Sequence, residues 1–127
     1  MSENKGYDLV VRAILEGKAI DLSNLPEDQK KNFDLAAEDL DSRGFYLEAA
    51  KVFGMTRNFK RLKDVANLCL KEKKLGVAFF AFTILEDVDG LNQTGEAYLR
   101  VPDVEGALAC YEAAKNEMMS SFIKVNF

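Results

Sequence analysis

The sequence contains no histidine and no tryptophan, and its 127 residues include only 2 Cys and 2 Pro. Without histidine there is no Ser-His-Asp or Cys-His nucleophile, no H-E-x-x-H zinc motif, and no side chain whose unperturbed pKa lies near neutrality. Two cysteines make neither a disulfide framework nor a four-ligand zinc site. Glycine patterns of the Walker or dinucleotide-binding type are missing, and no cofactor is expected. The longest apolar run is Val77 to Phe82, far below the ~18 residues of a membrane span. The start, Met1-Ser2-Glu3-Asn4-Lys5-Gly6, leads into an amphipathic stretch and does not read as a signal peptide. These absences point to a cytoplasmic, reducing setting in which Cys69 and Cys110 are thiols, with no membrane partner.

What is there is charged and periodic. Lys and Arg total 17 against 21 Asp and Glu, a formal net charge of −4. The distribution is uneven. Residues 57–74 carry Arg57, Lys60, Arg61, Lys63, Lys71, Lys73 and Lys74 against two acids, whereas both flanks are net acidic. A basic band of this kind can face an acidic protein or phosphates. Its one aromatic residue, Phe59, offers little for base stacking, so nucleic acid is a poor fit.

Shifting the chain by 29 residues aligns Phe33 with Leu62 and Leu91, and Ala37 with Ala66 and Gly95. The same shift aligns Leu40, Cys69 and Tyr98; Ala49, Ala78 and Ala107; and Phe53, Phe82 and Tyr111. Within each unit the apolar positions follow i, i+3, i+4, i+7, the period of one helix face. Each unit therefore predicts two helices. The breaks fall at Arg43-Gly44, Lys73-Lys74 and Val101-Pro102-Asp103, with Asp103 as an N-cap. Pro26 opens the first helix of unit one, and Asp89-Gly90 is expected to end the second helix of unit two. Asp87-x-Asp89-Gly90-x-Asn92 lacks the later ligands of a calcium loop and reads as a turn between units. The small columns let paired helices approach closely.

Leu91-x2-Thr94-Gly95-x2-Tyr98 followed by Ala107-x3-Tyr111-x2-Ala114 resembles the tetratricopeptide repeat, in both residue types and spacing. The resemblance covers roughly residues 30–117 and weakens from unit three to unit one. The period is 29 rather than about 34, the shortfall lying between Leu85 and Leu91, and Phe33, Leu62 and Leu91 replace the large opening aromatic. Related α-solenoids of coat and transport-complex proteins stay open. The resemblance implies an all-α fold, a right-handed superhelix of antiparallel helix hairpins with about seven or eight helices. One domain spans residues 1–127: an N-terminal capping helix and loop in 1–25, repeats in 26–58, 59–90 and 91–117, and a C-terminal cap in 118–127. The helix expected over 7–16 closes at Gly17. Met118, Met119, Phe122, Ile123 and Phe127 either cap the last unit or form a dimerisation patch, so a homodimer stays open.

The resemblance also implies a non-catalytic scaffold or adaptor that binds a protein or peptide in the groove lined by the first helix of each repeat. Carried over by alignment, that groove presents Lys31, Asp34 and Glu38 in unit one and Lys60, Lys63, Asn67 and Lys71 in unit two. Unit three presents Asn92, Gln93, Glu96 and Arg100. Lys63 and Asn67 share a helix face, where ammonium and amide donors could meet a carboxylate. Self-assembly through the oppositely charged segments, and RNA binding by the basic helix, are the alternative readings.

Overall fold

A computed structural model of the chain describes residues 12, 13, 15–18, 22 and 24–127. Among the described residues there are seven helices and no strand: α1 Glu27–Ser42, α2 Tyr46–Thr56, α3 Phe59–Lys71, α4 Leu75–Leu85, α5 Val88–Arg100, α6 Val104–Ala113 and α7 Glu117–Asn126. The fold is all-α, as the periodicity predicts. Of the expected N-terminal helix, Arg12, Ala13 and Leu15 are helical and Gly17 turns at φ 90°; residues 7–11 and Ile14 lie outside the described residues. The chain divides into two compact units, Met1–Val65 and Ala66–Phe127, with the division inside α3.

The helix ends repeat with the same 29-residue period as the core. Left-handed residues follow α2, α4 and α7's predecessor α6 at Arg57 (φ 62°), Glu86 (φ 53°) and Lys115 (φ 58°). The next N–H then reaches back to the last turn: Asn58 to Phe53 O at 2.9 Å, Asp87 to Phe82 O at 3.0 Å, and Asn116 to Tyr111 O at 2.9 Å. This is the six-to-one bond that satisfies orphan carbonyls at a helix C-terminus. The first helix of each pair ends alike, with Phe45 N bonding Leu40 O, Lys74 N bonding Cys69 O, and Asp103 N bonding Tyr98 O. Gly44 (φ 84°) and Lys73 (φ 65°) supply the left-handed turn there. Pro102 occupies the third such place, and its ring forbids positive φ.

The residues whose N–H groups donate these bonds also start the next helix. Asn58 Oδ1 accepts from Arg61 N at 3.3 Å, Asp87 Oδ1 from Gly90 N at 2.9 Å, and Asn116 Oδ1 from Met119 N at 3.1 Å. Each satisfies one of the orphan donors of a helix N-terminus. Asp103 caps α6 through Gly106 N at 2.9 Å, as expected. Gly90 departs from expectation. It does not end a helix but sits in the first turn of α5, because Asp87 caps that helix and Glu86 has already turned the chain. The same geometry removes the expected turn over Asp87–Asn92: Asp89, Gly90 and Asn92 are helical.

In the first unit α1 packs against α2. Phe33, Ala37, Ala49, Ala50, Val52 and Phe53 are buried there. In the second unit α4 packs on α5, α5 on α6, and α6 on α7. Its core joins Ala107, Tyr111 and Ile123 to Tyr98, Leu99 and Met119. Small residues meet aromatic rings at three places in this unit: a Cβ on Gly95 would lie 2.9 Å from Tyr111 Cζ, one on Gly106 would lie 2.6 Å from Tyr98 Cδ1, and one on Gly90 would strike the Phe82 ring. Gly95 thus does what its small column predicts, and Gly90 and Gly106 add two contacts of the same kind.

Candidate partner-binding face

Helix α3 is sharply two-sided. Leu62, Val65, Ala66 and Cys69 are buried to 1% exposure or less. Lys60, Lys63, Asn67 and Lys71 are all exposed, at steps of three and four residues, which places them on one helix face. No acidic residue shares the first turn of α3, and Lys71 lies in its last turn, where the helix dipole favours a cation. Arg57, just before α3, stacks its guanidinium 5.4 Å over the half-exposed Phe59 ring.

The first-unit residues of the expected groove are largely engaged in holding helices together. Asp34 is half-buried, accepting from Thr56 Oγ1 and from Asn58 Nδ2 at 3.0 Å. Glu38 lies 3.8 Å from Arg61, which also meets Asp41 at 3.3 Å and Asp64 at 2.9 Å and stacks on the Phe53 ring. Burial pulls the Arg61 guanidinium down, but the Asp64 hydrogen bond and the charges of Glu38, Asp41 and Asp64 outweigh it and hold it above its usual value. Asp41 Oδ1 is buried with no partner, and nothing in the structure explains it. Lys31 lines an open cleft of about 710 Å³ with Glu27, Asp28, Lys30, Asp34 and Arg57. Sequence reasoning missed this cleft because it forms where the start of α1 meets the residues after α2. Its charges are mixed, and its most buried carboxylate is already spent on Thr56 and Asn58.

On α5, Gln93, Glu96 and Arg100 are exposed, and Glu96 and Arg100 pair at 3.0 Å. Asn92 is half-buried, and its amide oxygen accepts from Asn116 Nδ2 at 3.0 Å. It ties α5 to the cap of α7, so its donors alone remain for a ligand. Asp34 and Asn92, which share a register place, each accept a bond from the capping Asn 24 residues on. That equivalence was readable as a spacing in the sequence.

The thiols carry no reactive signature. Cys69 and Cys110 are buried, and burial, followed by the charge of Asp103, pushes Cys110 up to about 12. No group of three or more Cys, Asp or Glu suited to a metal ion occurs among the described residues. No helix among them is long and apolar enough to cross a membrane. A scan against protein-family models and searches of curated proteins and of solved structures gave no match.

Proposed function

We propose that the chain is a tetratricopeptide-like helical-repeat module, a non-catalytic scaffold or adaptor that binds a protein or peptide along the polar face of α3. In this reading the helix pairs form a right-handed superhelix, and the module works in the cytoplasm. The observation that carries the reading is the two-sidedness of α3: four polar side chains, Lys60, Lys63, Asn67 and Lys71, stand exposed on a helix whose opposite face is fully buried. Long side chains kept in water in this pattern offer several hydrogen-bond donors at little cost in folding. The repetition of helix ends and core columns at 29 residues supports the repeat architecture.

The test is affinity capture with the full chain, comparing wild type with the double variant Lys63→Ala, Asn67→Ala. Circular dichroism first establishes equal helicity. A partner recovered by wild type is expected to bind the double variant at least tenfold more weakly, since each lost charge-assisted bond is worth ~1.5–3 kcal/mol. Equal capture by both proteins would refute the assignment of this face.

A further inference from the structure

Helix α7 is apolar on two sides. Its inner side, Met119 and Ile123, packs into the core of the second unit. Its outer side bears Met118, Phe122 and Val125 at 77%, 53% and 83% exposure. Their steps of four and three residues make a continuous outward stripe. Other exposed large apolar residues, such as Leu35 in α1, Val88 at the start of α5 and Val101 just past its end, stand apart from one another, which is ordinary for a protein surface. A stripe on one helix is different. From the geometry we infer that α7 forms a two-fold, antiparallel pair with α7 of a second copy of this chain.

The charges beside the stripe select that occupant. Glu117 and Lys124 stand on the same flank of α7, seven residues apart and of opposite sign. In an antiparallel two-fold pair like flanks face each other, so each Glu117 meets the Lys124 of the other copy. Met118 then packs beside the other copy's Val125, and the two Phe122 rings meet near the axis. The surface is therefore self-complementary, as an isologous interface must be. A parallel pair would separate these charges. Lys124 Nζ already lies 3.0 Å from Glu112 Oε2, and an ammonium has three donors, so it can serve both acids. The acidic surroundings argue against a lipid surface, because interfacial helices carry Lys and Arg on their polar flanks, whereas residues 75–127 hold three basic and eight acidic side chains. The three side chains present roughly 400 Å² per copy, and with the flanks two copies bury about 1,000 Å², the size at which specific association begins. Association is accordingly weak, with a dissociation constant of the order of micromolar.

Sedimentation equilibrium of the full chain over a concentration series tests the pairing. Wild type is expected to shift toward twice the 14.2 kDa chain mass. Phe122→Asp and Val125→Glu, both on exposed positions, are expected to weaken association at least tenfold with unchanged helicity. Glu117→Lys alone weakens it, and adding Lys124→Glu restores it, which only charges meeting across the pair produce. A wild-type chain that stays monomeric up to about 1 mM overturns the inference. So does a dimer indifferent to Phe122→Asp and Val125→Glu, a double charge reversal without recovery, or a monomer that instead sediments with phosphatidylserine vesicles.

Discussion

Glycine plays opposite parts at different places in this chain, and the difference lies in what each α-hydrogen touches. Gly95 and Gly90 are buried where the Tyr111 and Phe82 rings come against the backbone. A methyl group at either site has nowhere to go, because the rings are themselves 3% and 1% exposed and cannot swing away. Gly95→Ala and Gly90→Ala are each expected to lower stability by about 1–3 kcal/mol through overpacking, with the larger loss at Gly90. Gly76 is the control. It lies in α4 with nothing within 4 Å of a built Cβ, so Gly76→Ala is expected to raise stability by about 0.5–1 kcal/mol through reduced unfolded-state freedom. Urea unfolding of the three variants checks the signs. Equal effects at Gly95 and Gly76 would mean that Tyr111 does not press on α5. The small column at Gly95 is legible from the repeat. Gly90 is not, because Asp-Gly reads locally as a turn, and only the cap three residues earlier shows that a helix has already begun.

Each junction at Asn58, Asp87 and Asn116 closes one helix with its backbone N–H and opens the next with its side chain. The helices α1 to α6 were thus legible from the hydrophobic period, and the breakers place their boundaries except between α4 and α5, which lies at Glu86-Asp87 rather than at Asp89-Gly90. The chemistry that fixes them was less so. Arg57, Glu86 and Lys115 differ in the sign of their charge and none is Gly or Asn, yet all adopt positive φ. A comparison of residue types passes over them, because the left-handed turn here is imposed by the six-to-one bond and the following cap rather than by glycine. Long-range uses of polar residues show only as a shared spacing of 24 residues: nothing local marks Asn92 as the partner of Asn116, or Asp34 as that of Asn58. These pairings make the two junctions respond differently to one substitution. Asn116→Asp keeps the cap acceptor, suits the helix dipole and loses only the donor to Asn92, so it is expected to cost well under 1 kcal/mol. Asn58→Asp keeps its cap too but places a carboxylate against Asp34 Oδ2, 3.0 Å from the present amide nitrogen. It is expected to cost about 1–2 kcal/mol more than its counterpart, as like charges and a lost hydrogen bond add. Thermal melts at pH 7 compare the two directly.

Across the unit Ala66–Phe127, folding disturbs three acids that are not carboxylates. Burial raises Cys110, Tyr98 and Tyr111, and all three belong to the unit Ala66–Phe127. Nearby negative charge reinforces it: Asp103 beside Cys110 and Tyr98, and Glu96 beside Tyr111. A raised acid holds its proton longer folded than unfolded. Between the ordinary thiol value of 9.0 and about 12, the unfolded chain has lost the Cys110 proton while the folded chain keeps it. The unfolded state then binds fewer protons, so stability falls as pH rises through that window. The tyrosines extend the fall above their ordinary 10.0. The melting temperature is therefore expected to decline from pH 8 to pH 11. Cys110→Ala lowers it at pH 8, because the buried site loses its sulfur, yet flattens the decline, because the group that titrates is gone. The slope against pH, not the melting temperature at one pH, carries the result: an undiminished slope in Cys110→Ala would assign the alkaline loss to general charge repulsion rather than to the thiol. The same geometry keeps the folded Cys110 unreactive toward iodoacetamide at pH 8, since its thiolate is both scarce and covered.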